Sequence, residues 1–464
     1  MTEVLDDMSG KDSSAEIEKK IQQFYAINEE LYNMIARDDR VPGNKFIPPI
    51  DYLSEYISKI VFENEATNFV KNSDERFHRW WPYLEGFSAE FVRDVLSELE
   101  ISPGHLVLDP FSGSGTTNLT CKLAGINSVG IEINPTMHSI LKSKLDWDID
   151  LDLFKQALDD FVIPAEITQT PPSFLDNERQ FNPGILHNLL GIKQYLKTIT
   201  DESIQQLFYT AFGSILLDCS NLKRSPSVGY TQKSYLYDEY PIDKFTEKIA
   251  HIYEDLCSIK NSQKKDASAN VYLGNSGDKI LDPEIIDFTI TSPPYLNFFD
   301  YPGNYKIEMG WLEHVSSTKD LKRIKDEMVP CDNISRGLVR EYMEKERIFS
   351  HEWLDYIETT VQVNTDVRPR IRRKDFPGII KKYFDDMALI IDHVAHATKT
   401  GGMFLLVVGD SLLTDVYVPT DILLIKIAEE YGFELETLKI TRSRRSGIRR
   451  SFRLRETVAY LRKK

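Results

Sequence analysis

The stretch HLVLDPFSGSGTTNLTCKLAGINSVGIEI, residues 105–133, decides the fold class. Its first seven residues, HLVLDPF, are mostly apolar, which predicts a short buried strand. Apolar spacing over 116–124 predicts a helix, and residues 127–133 predict a second strand. A strand, a helix and a strand joined by short turns are typical of a parallel sheet with right-handed crossovers, so we predict an α/β fold.

The same alternation of predicted strands and helices recurs on both sides of this stretch. Residues 86–99 predict a helix with Ser88 as its N-cap, and further strands are predicted at 269–278, 285–292, 403–410, 433–440 and 457–463, with a helix at 420–431. Between them, residues 135–265 and 313–365 are predicted to be mostly helical, and residues 15–38 to form a polar helix. The sheet is therefore expected to carry large helical insertions.

Length and composition narrow the class of protein. The 464 residues exceed one ordinary hydrophobic core, and 41% hydrophobic with 28% charged residues is usual for a soluble protein. No apolar run is long enough for a membrane span, and the acidic N-terminus is unlike a signal peptide, so we expect a cytoplasmic protein without a membrane partner. The four cysteines form no CxxC pair, so no metal site is predicted.

The charge is distributed unevenly along the chain. The net charge is −16, but residues 439–464 hold eleven Lys or Arg and one Glu, a local +10 that leaves −26 on the other 438 residues. The segment RPRIRRK, residues 368–374, adds five positive charges. Such blocks favour a surface that faces a polyanion, because bound phosphates release counterions. A solubilising tail is the alternative.

The glycine loop DPFSGSGTT, residues 109–117, predicts a nucleotide-type ligand, because closely spaced glycines at a helix N-terminus let backbone N–H groups approach it. A phosphate-binding loop of the Walker type would need a lysine after Gly115, and a dinucleotide fingerprint would need a third glycine where Asn118 stands. Glu132 ends the next strand, where an acid can accept hydrogen bonds from both hydroxyls of a ribose. A tight turn followed by a surface Glu is the alternative interpretation.

A second unusual stretch is DFTITSPPYLNFFDY, residues 287–301, in which a strand runs into Ser292-Pro293-Pro294-Tyr295. Proline ends the strand because it lacks an N–H group. The serine hydroxyl and the carbonyl before the second proline can accept hydrogen bonds from an exocyclic amine, and a tyrosine face can stack on an extruded base. No strong base is needed, because the positively charged amine product loses its proton easily.

Together, these motifs resemble the S-adenosylmethionine (AdoMet)-dependent amino-methyltransferases of DNA, which modify cytosine N4 or adenine N6. DPFSGSGTT resembles their AdoMet loop, Glu132 their ribose-binding acid and TSPPY their catalytic motif. FHRWWPYLEGFSAEFVRDVL (77–96) is similar to the segment that closes over the methionine part, and GNSGD (274–278) to the third-strand region. The resemblance covers about 77–146, 269–312 and 375–464. It implies a three-layer Rossmann-like methyltransferase fold with a mostly parallel sheet.

The resemblance also implies site residues. It assigns the cofactor AdoMet to seven positions, namely Asp109, Phe111, Gly113, Gly115, Thr116, Glu132 and Asp278. It assigns the target amine and base to Ser292, Pro293, Pro294 and Tyr295. In this family the serine form of the motif is mostly associated with cytosine N4, which we therefore favour over adenine N6. Methylation of cytosine C5 would need a nucleophilic cysteine, and Pro330-Cys331 lies in a charged segment away from any predicted strand end.

The predicted layout places the insertions around a divided core. We predict a helical extension (1–70), the AdoMet-binding part of the core (71–145), a mostly helical insertion (146–268), the catalytic part (269–312), a charged helical insertion (313–374) and the remaining core (375–464). Because few residues separate Asp278 from Thr291, recognition of the DNA sequence must come from the insertions, unless these are helical caps over the pocket. Predicted DNA contacts are Lys223, Arg224, Arg372, Arg373, Arg444, Arg445, Arg449 and Arg450.

Other ring residues near the two motifs have two interpretations each. Trp80 and Trp81 are expected either in a lid over the cofactor or in the core, and Phe298 and Phe299 either beside a flipped base or in the core.

The sequence thus predicts a cytosine-N4 methyltransferase of double-stranded DNA. The family resemblance alone implies a restriction–modification or phage-defence role, with a cognate restriction endonuclease as partner. An adenine-N6 DNA enzyme, an RNA amino-methyltransferase and a regulatory DNA-binding protein with a vestigial pocket are the alternatives.

Overall fold

A computed structural model describes residues 50–62, 72–83, 86–224, 227–260, 266–296, 300–330, 334–367, 373–446 and 452–464, with residues 15, 16, 19 and 22. The predicted helix at 15–38 otherwise lies outside these residues. Among the described helices, none has the length and apolar character needed to cross a membrane.

One eight-stranded sheet organises the chain, in the order β1-β11-β12-β8-β7-β2-β3-β6. Its strands are β1 (Ile60–Phe62), β2 (Leu106–Asp109), β3 (Asn127–Glu132), β6 (Ala269–Leu273), β7 (Ile286–Thr291), β8 (Thr398–Gly409), β11 (Phe433–Ser446) and β12 (Phe452–Lys463). Every neighbouring pair is parallel except the two pairs that include β12. Two small antiparallel hairpins lie outside it, β4 (Leu222–Arg224) with β5 (Val228–Tyr230) and β9 (Ser411–Leu413) with β10 (Val416–Val418).

Helices cover both faces of the sheet. In order, the described α-helices are α1 (Ala89–Glu98), α2 (Thr116–Ala124), α3 (Pro135–Leu145), α4 (Leu151–Asp159), α5 (Asn177–Gln180), α6 (Pro183–Leu196), α7 (Glu202–Ile215), α8 (Tyr240–Lys260), α9 (Tyr301–Asn304), α10 (Lys306–Trp311), α11 (Thr318–Glu327), α12 (Arg336–Met343), α13 (Glu352–Asp366), α14 (Phe376–Ala397) and α15 (Thr420–Glu430). Two short 3-10 helices, Ile50–Lys59 and His78–Trp80, complete the list.

Strand β8 shows that both faces are buried. Phe404, Leu406 and Val408 pack into one hydrophobic cluster with α14 and α15, and the alternate residues Met403, Leu405 and Val407 pack into another with α1. Because successive side chains of a strand point to opposite faces, the sheet lies between two helical layers. The predicted three-layer α/β fold with a mostly parallel sheet is confirmed.

The elements around the glycine loop follow local sequence signals. Ser88 caps α1 as predicted, since its Oγ accepts a hydrogen bond from the N–H of Phe91 at 3.0 Å. Helix α2 spans the predicted residues and ends at Gly125, whose φ of 78° lies in the left-handed region.

The last two sheet strands are longer than predicted. Their predicted ends were residues 440 and 457, but the pairing of β11 with β12 continues to Ser446 opposite Phe452. Arginine-rich sequence hid this extension, because charged residues lack the apolar alternation that marks a strand. The pairing of β12 with β8 ends at Glu456 opposite Gly409, so the β11–β12 ribbon runs on alone past the end of β8.

The helices of residues 151–260 build a separate hydrophobic cluster that also takes in Phe77 and Trp80. Asp255 of α8, which is 1% exposed, joins this insertion to the segment before α1. Its carboxylate accepts hydrogen bonds from the N–H of Phe77 at 2.9 Å, from Nε1 of Trp80 at 2.9 Å and from the Arg79 guanidinium at 2.8 and 3.1 Å. Phe77 has a φ of 64°, a conformation that these bonds help to hold.

We expect the substitution Asp255→Ala to lower the free energy of unfolding by about 3–5 kcal/mol, because it leaves a buried N–H, an indole N–H and a guanidinium without their acceptor. Glu254, whose side chain is 63% exposed and also contacts Arg79, is the matched control, and Glu254→Ala should change stability by less than about 0.5 kcal/mol. Urea titration followed by tryptophan fluorescence measures both. Equal effects of the two substitutions would show that the Asp255 carboxylate has no special role in joining the insertion to the segment before α1.

Candidate active site

A cleft lies where β2, β3 and β7 end. The loop after β2, the turn after β3, residues 275–276 and the serine–proline motif after β7 all line it. Because these strands are parallel, their carboxyl ends meet at one edge of the sheet, the usual position of ligand sites in α/β folds. The structure thus brings the two predicted motifs into one cleft.

The glycine loop has a backbone shape that only glycine tolerates well. Gly113 and Gly115 have φ values of 51° and 88°. A Cβ atom on Gly113 would lie 2.8 Å from the Tyr83 hydroxyl, and one on Gly115 would lie 2.0 Å from a methyl group of Leu141. The loop backbone is therefore packed closely against Tyr83 and Leu141. Three of its residues, Gly113, Ser114 and Thr116, line the cleft.

Glu132 is a buried acid rather than a surface residue, so the tight-turn alternative for this region is wrong. Its carboxylate accepts hydrogen bonds from the N–H of Gly113 at 2.8 Å and from the N–H of Asn134 at 2.7 Å. Burial raises the pKa of Glu132 to about 7, although both N–H groups act to lower it. The carboxylate lines the cleft and has lone pairs left for a ligand diol.

Asp109 lies under the glycine loop. Its Oδ1 accepts hydrogen bonds from Thr291 Oγ1 at 2.6 Å and from the N–H of Phe111 at 3.0 Å. Burial raises its pKa to about 6, and the hydrogen bonds from Thr291, Thr117 and Phe111 oppose that shift. Asp109 thereby joins the end of β2 to the end of β7.

The serine–proline motif presents its first part to the cleft. Ser292 and Pro294 line the cleft, while Pro293 is buried and Tyr295 is half-buried against the main core. The carbonyl of Pro294 accepts a hydrogen bond from the Tyr383 hydroxyl at 2.9 Å. Within the described residues, neither the Ser292 hydroxyl nor the Pro293 carbonyl has a hydrogen-bond partner, and Ser292 lines the cleft.

A tyrosine, rather than a tryptophan, covers the loop. Trp80 and Trp81 are buried in two hydrophobic clusters, which settles the lid-or-core question for both in favour of the core. Tyr83 lines the cleft and stacks on Tyr305, with ring centroids 5.9 Å apart and planes 13° from parallel. Phe298 and Phe299 lie outside the described residues, as does Cys331.

The third-strand region contributes different residues from the one predicted. Asp278 is exposed and is not among the residues that line the cleft, whereas Asn275 and Ser276 of the same GNSGD segment do line it. The backbone N–H of Asp278 donates a hydrogen bond to the carbonyl of Asn275 at 3.1 Å, so Asp278 closes the turn that Asn275 begins.

Four further wall residues come from elements that the motifs did not indicate. They are Glu327, Met328, Val329 and Ile390, from the end of α11 and from α14. No local signal marks them, because Glu327, Met328 and Val329 reach the cleft only through packing of the second insertion (313–374) against the core, and Ile390 reaches it only through packing of α14.

Two arginines predicted to bind DNA are buried instead. Arg224 forms an ion pair with Glu308, and the two side chains are 4% and 3% exposed. Its Nε also donates to the carbonyl of Asn304 at 2.9 Å, and its guanidinium lies 4.3 Å from the ring centre of Tyr305. The prediction of a phosphate contact for Arg224 is therefore wrong. Lys223, its neighbour, is exposed.

Arg373 is likewise turned inward. Its guanidinium donates to both carboxylate oxygens of Asp375, at 2.9 and 2.7 Å, and to the carbonyl of Ile334 at 2.7 Å. The residue is 4% exposed, so the predicted DNA contact is wrong here too. Arg372 lies outside the described residues.

The basic C-terminal segment divides into two parts. Near the sheet, five of its positive side chains pair with acids: Lys439 with Glu98, Arg442 with Glu456, Arg455 with Asp410 and Asp421, Arg462 with Glu436, and Lys464 with Glu434. The backbone of Arg444 and Arg445 lies in the projecting end of β11, while their side chains, and the whole of Arg449 and Arg450, lie outside the described part. Because β11 is parallel to β8 and β7, this end projects from the edge that carries the cleft.

The residues of the cleft fit AdoMet. Gly113 and Glu132 both line the cleft, and Glu132 offers carboxylate oxygens at the end of β3. Apolar side chains of Ile133, Met328 and Val329 provide surfaces for an adenine ring.

Comparison with known proteins agrees with this geometry. Residues 44–143 match the family model described as DNA methylase, which joins N6 and N4 methyltransferases. The chain is 26% identical over 450 residues to the type II methyltransferase M.BsoBI of Geobacillus stearothermophilus, which covers 84% of this chain and 86% of that protein. It is 26% identical over 412 residues to the type II methyltransferase M.AvaI of Nostoc sp.. This match covers 81% of this chain and 83% of that protein. A shorter match, 32% over 124 residues and 23% of each chain, is to M.MjaII of Methanocaldococcus jannaschii.

These similarities confirm the predicted resemblance to the AdoMet-dependent DNA amino-methyltransferases, and with it AdoMet as the methyl donor.

The raised pKa of Glu132 leads us to expect pH-dependent binding of the adenosine part of the cofactor. A ribose diol donates hydrogen bonds, so it binds the carboxylate better than the carboxylic acid, and affinity should rise as the pH increases from 6 through 7 and level off near 8. Calorimetry with 5′-methylthioadenosine tests this, because that compound lacks the titrating amino group of AdoMet.

The variant Glu132→Gln should bind 5′-methylthioadenosine at least tenfold more weakly and without this pH dependence. It keeps Asp109, so any dependence that survives belongs to Asp109, whose pKa is raised to about 6. An unchanged pH profile in Glu132→Gln would exclude Glu132 as the ribose acceptor.

Proposed function

We propose that this AdoMet-dependent DNA amino-methyltransferase methylates the exocyclic N4 of cytosine in double-stranded DNA, at a specific short sequence, in a type II restriction–modification system. The observation that carries the proposal is the position of Ser292 and Pro294 in the same cleft as the glycine loop and Glu132. The serine form of the motif, which the family associates mostly with cytosine N4, supports the choice of base. The two long matches to type II methyltransferases support the biological role.

Hydrogen-bond acceptors at the end of β7 would hold the target amine. The Ser292 hydroxyl and the Pro293 carbonyl accept the two amine hydrogens, which leaves the nitrogen lone pair directed into the cleft. When bound, AdoMet supplies a methyl group on a positively charged sulfur, so the amine nitrogen needs a lone pair and a position in line with it. Positioning then provides most of the rate, and the methylated amine releases its extra proton to solvent.

Access to the amine requires the base to leave the duplex. Tyr295 is the last residue of the motif and would offer a ring face for the extruded base. Glu132 and Asp109 are committed to the loop and to β7, which leaves them unsuited to a role as a general base for the amine.

DNA would approach the edge of the sheet that carries the cleft. The β11–β12 ribbon projects from that edge by four residues of β12, roughly 13 Å at the usual strand rise, and two-stranded ribbons fit the major groove of DNA. Its sequence between residues 443 and 453 contains five arginines, four of which we propose as phosphate contacts: Arg444, Arg445, Arg449 and Arg450. Lys223 on the β4–β5 hairpin is a fifth proposed contact.

We expect Ser292→Ala to lower the turnover number at least tenfold without unfolding the protein, because the amine loses one of its two acceptors. Ser316→Ala, an exposed serine on the second insertion, serves as the control and should keep full activity. The assay is transfer from AdoMet to unmethylated duplex DNA, with the product digested to nucleosides and identified by mass spectrometry.

The identity of the nucleoside tests the proposed function itself. N4-methylcytosine supports it, and N6-methyladenine would keep the mechanism but overturn the choice of base. Transfer to structured RNA in preference to DNA, or no AdoMet binding at all, would favour the RNA enzyme or the vestigial pocket instead.

The double variant Arg449→Ala/Arg450→Ala should weaken DNA binding and lower the slope of log K against log salt by about 1 for each arginine that contacts a phosphate. Binding of AdoMet should stay unchanged. Arg462→Ala is the matched control, since Arg462 pairs with Glu436 near the opposite end of β12. If Arg462→Ala reduced the salt slope as much, the ribbon would have no special role in DNA binding.

A further inference from the structure

Helix α14 touches both halves of the cleft from one side. Tyr383 near its middle donates a hydrogen bond to the carbonyl of Pro294 at 2.9 Å. Two turns later, Ile390 lines the cleft wall, and after one more turn His393 contacts the region after β6. The spacing of seven and then three residues places these side chains on one face of the helix. The helix spans roughly 15 Å between Tyr383 and His393 at 1.5 Å per residue.

The His393 contact reaches the cofactor half of the cleft. His393 is 1% exposed, its Nδ1 lies 2.8 Å from the carbonyl of Ser276, and its Nε2 accepts the N–H of Leu281 at 3.4 Å. These partners assign the proton to Nδ1 of a neutral ring, in agreement with a pKa that burial lowers. Ser276 in turn donates its hydroxyl to the carbonyl of Pro110, at the start of the glycine loop.

The Tyr383 contact reaches the target half. Tyr383 is fully buried, and burial raises its pKa, so the phenol keeps its proton and stays a donor. Its partner is the carbonyl next to the one proposed to hold the amine. Fixing the carbonyl of Pro294 on the core side restrains the rotation of the adjoining peptide planes, and the ring of Pro294 already fixes its φ. The peptide group that carries the Pro293 carbonyl is thereby held in one orientation.

We infer that α14 sets the distance between the target amine and the glycine loop, and that Tyr383 is the positioning residue for the acceptors of the amine. The inference rests on the proposed function, since it assigns a cause to the alignment that the methyl transfer needs. A misplacement of about 1 Å is enough to slow such a transfer on the order of a hundredfold. Tyr383 acts through Pro293 and Pro294 and is not itself expected to touch the substrate.

The variant Tyr383→Phe tests this inference, because it removes only the hydroxyl and leaves the packed ring in place. We expect the turnover number for methyl transfer to DNA to fall at least tenfold, while the KM for AdoMet and the affinity for 5′-methylthioadenosine change less than twofold. Tyr460→Phe is the matched control. Its hydroxyl also donates one hydrogen bond of 2.9 Å from a buried ring, to Glu98 on the far side of the sheet from the second insertion, and it lines no part of the cleft.

A second measurement separates positioning from a loss of folding. If Tyr383 acts through the same acceptors as Ser292, then adding Tyr383→Phe to Ser292→Ala should slow transfer clearly less than it does in the wild-type chain. Additive effects would overturn the inference, as would unchanged turnover in Tyr383→Phe. A parallel loss of turnover and cofactor affinity would overturn it too, because that result indicates a structural role.

The proposed function can fail separately from this inference. A wild-type protein that methylates no DNA would refute the proposed function and the role of Tyr383 together. Methylation of adenine N6 would refute only the choice of base, and the comparison of Tyr383→Phe with Tyr460→Phe would still decide the role of Tyr383.

Discussion

The hydrogen bond between Thr291 and Asp109 is the interaction on which the site depends. It joins two residues 182 positions apart, both almost fully buried, with 2.6 Å between Oγ1 and Oδ1. The ladder between β2 and β7 contains only two paired positions, Val107 with Phe288 and Leu108 with Thr289. The side-chain hydrogen bond therefore extends the connection between these strands to their carboxyl ends. The glycine loop begins at Asp109, and Thr291 directly precedes Ser292 of the serine–proline motif. The relative position of the loop and the motif is therefore fixed by a contact between the residues at which they start.

The insertions complete the cleft as well as surrounding it. Asp255 from the first insertion holds the segment that leads to Tyr83, and the β4–β5 hairpin is fixed by the ion pair of Arg224 with Glu308. The second insertion supplies the wall at 327–329, and Lys325 pairs with Asp300 at 2.7 Å, a few residues after the serine–proline motif. A view of the insertions as either target-recognition elements or caps is too simple, because they also position the walls of the site.

Positive charge has two separate uses in this chain. Where a buried arginine meets a carboxylate, as Arg373 meets the partly exposed Asp375 and Arg455 meets the buried Asp410 and Asp421, the opposite charges satisfy each other. A buried charge is tolerated only with such a partner, so these arginines are held in place and unavailable to DNA. The backbone of Arg444 and Arg445 continues β11 beyond these pairs, and the strand register places it at the edge of the sheet that carries the cleft.

The sequence by itself determined the parallel sheet around residues 105–133, the glycine loop and an acid, Glu132, at the end of the next strand. Each of these rests on turn chemistry and periodicity within one short stretch, which local sequence encodes. That the loop and the serine–proline motif share one α/β site was implied by the family resemblance, because no local pattern joins segments so far apart in the chain. Only the tertiary structure decided that Arg224 and Arg373 turn inward, that Tyr83 rather than a tryptophan covers the loop, and that Tyr383 supports the motif. Those contacts join residues up to 222 positions apart in the chain, as Tyr83 and Tyr305 are, and they depend on which faces pack together, which no local pattern specifies.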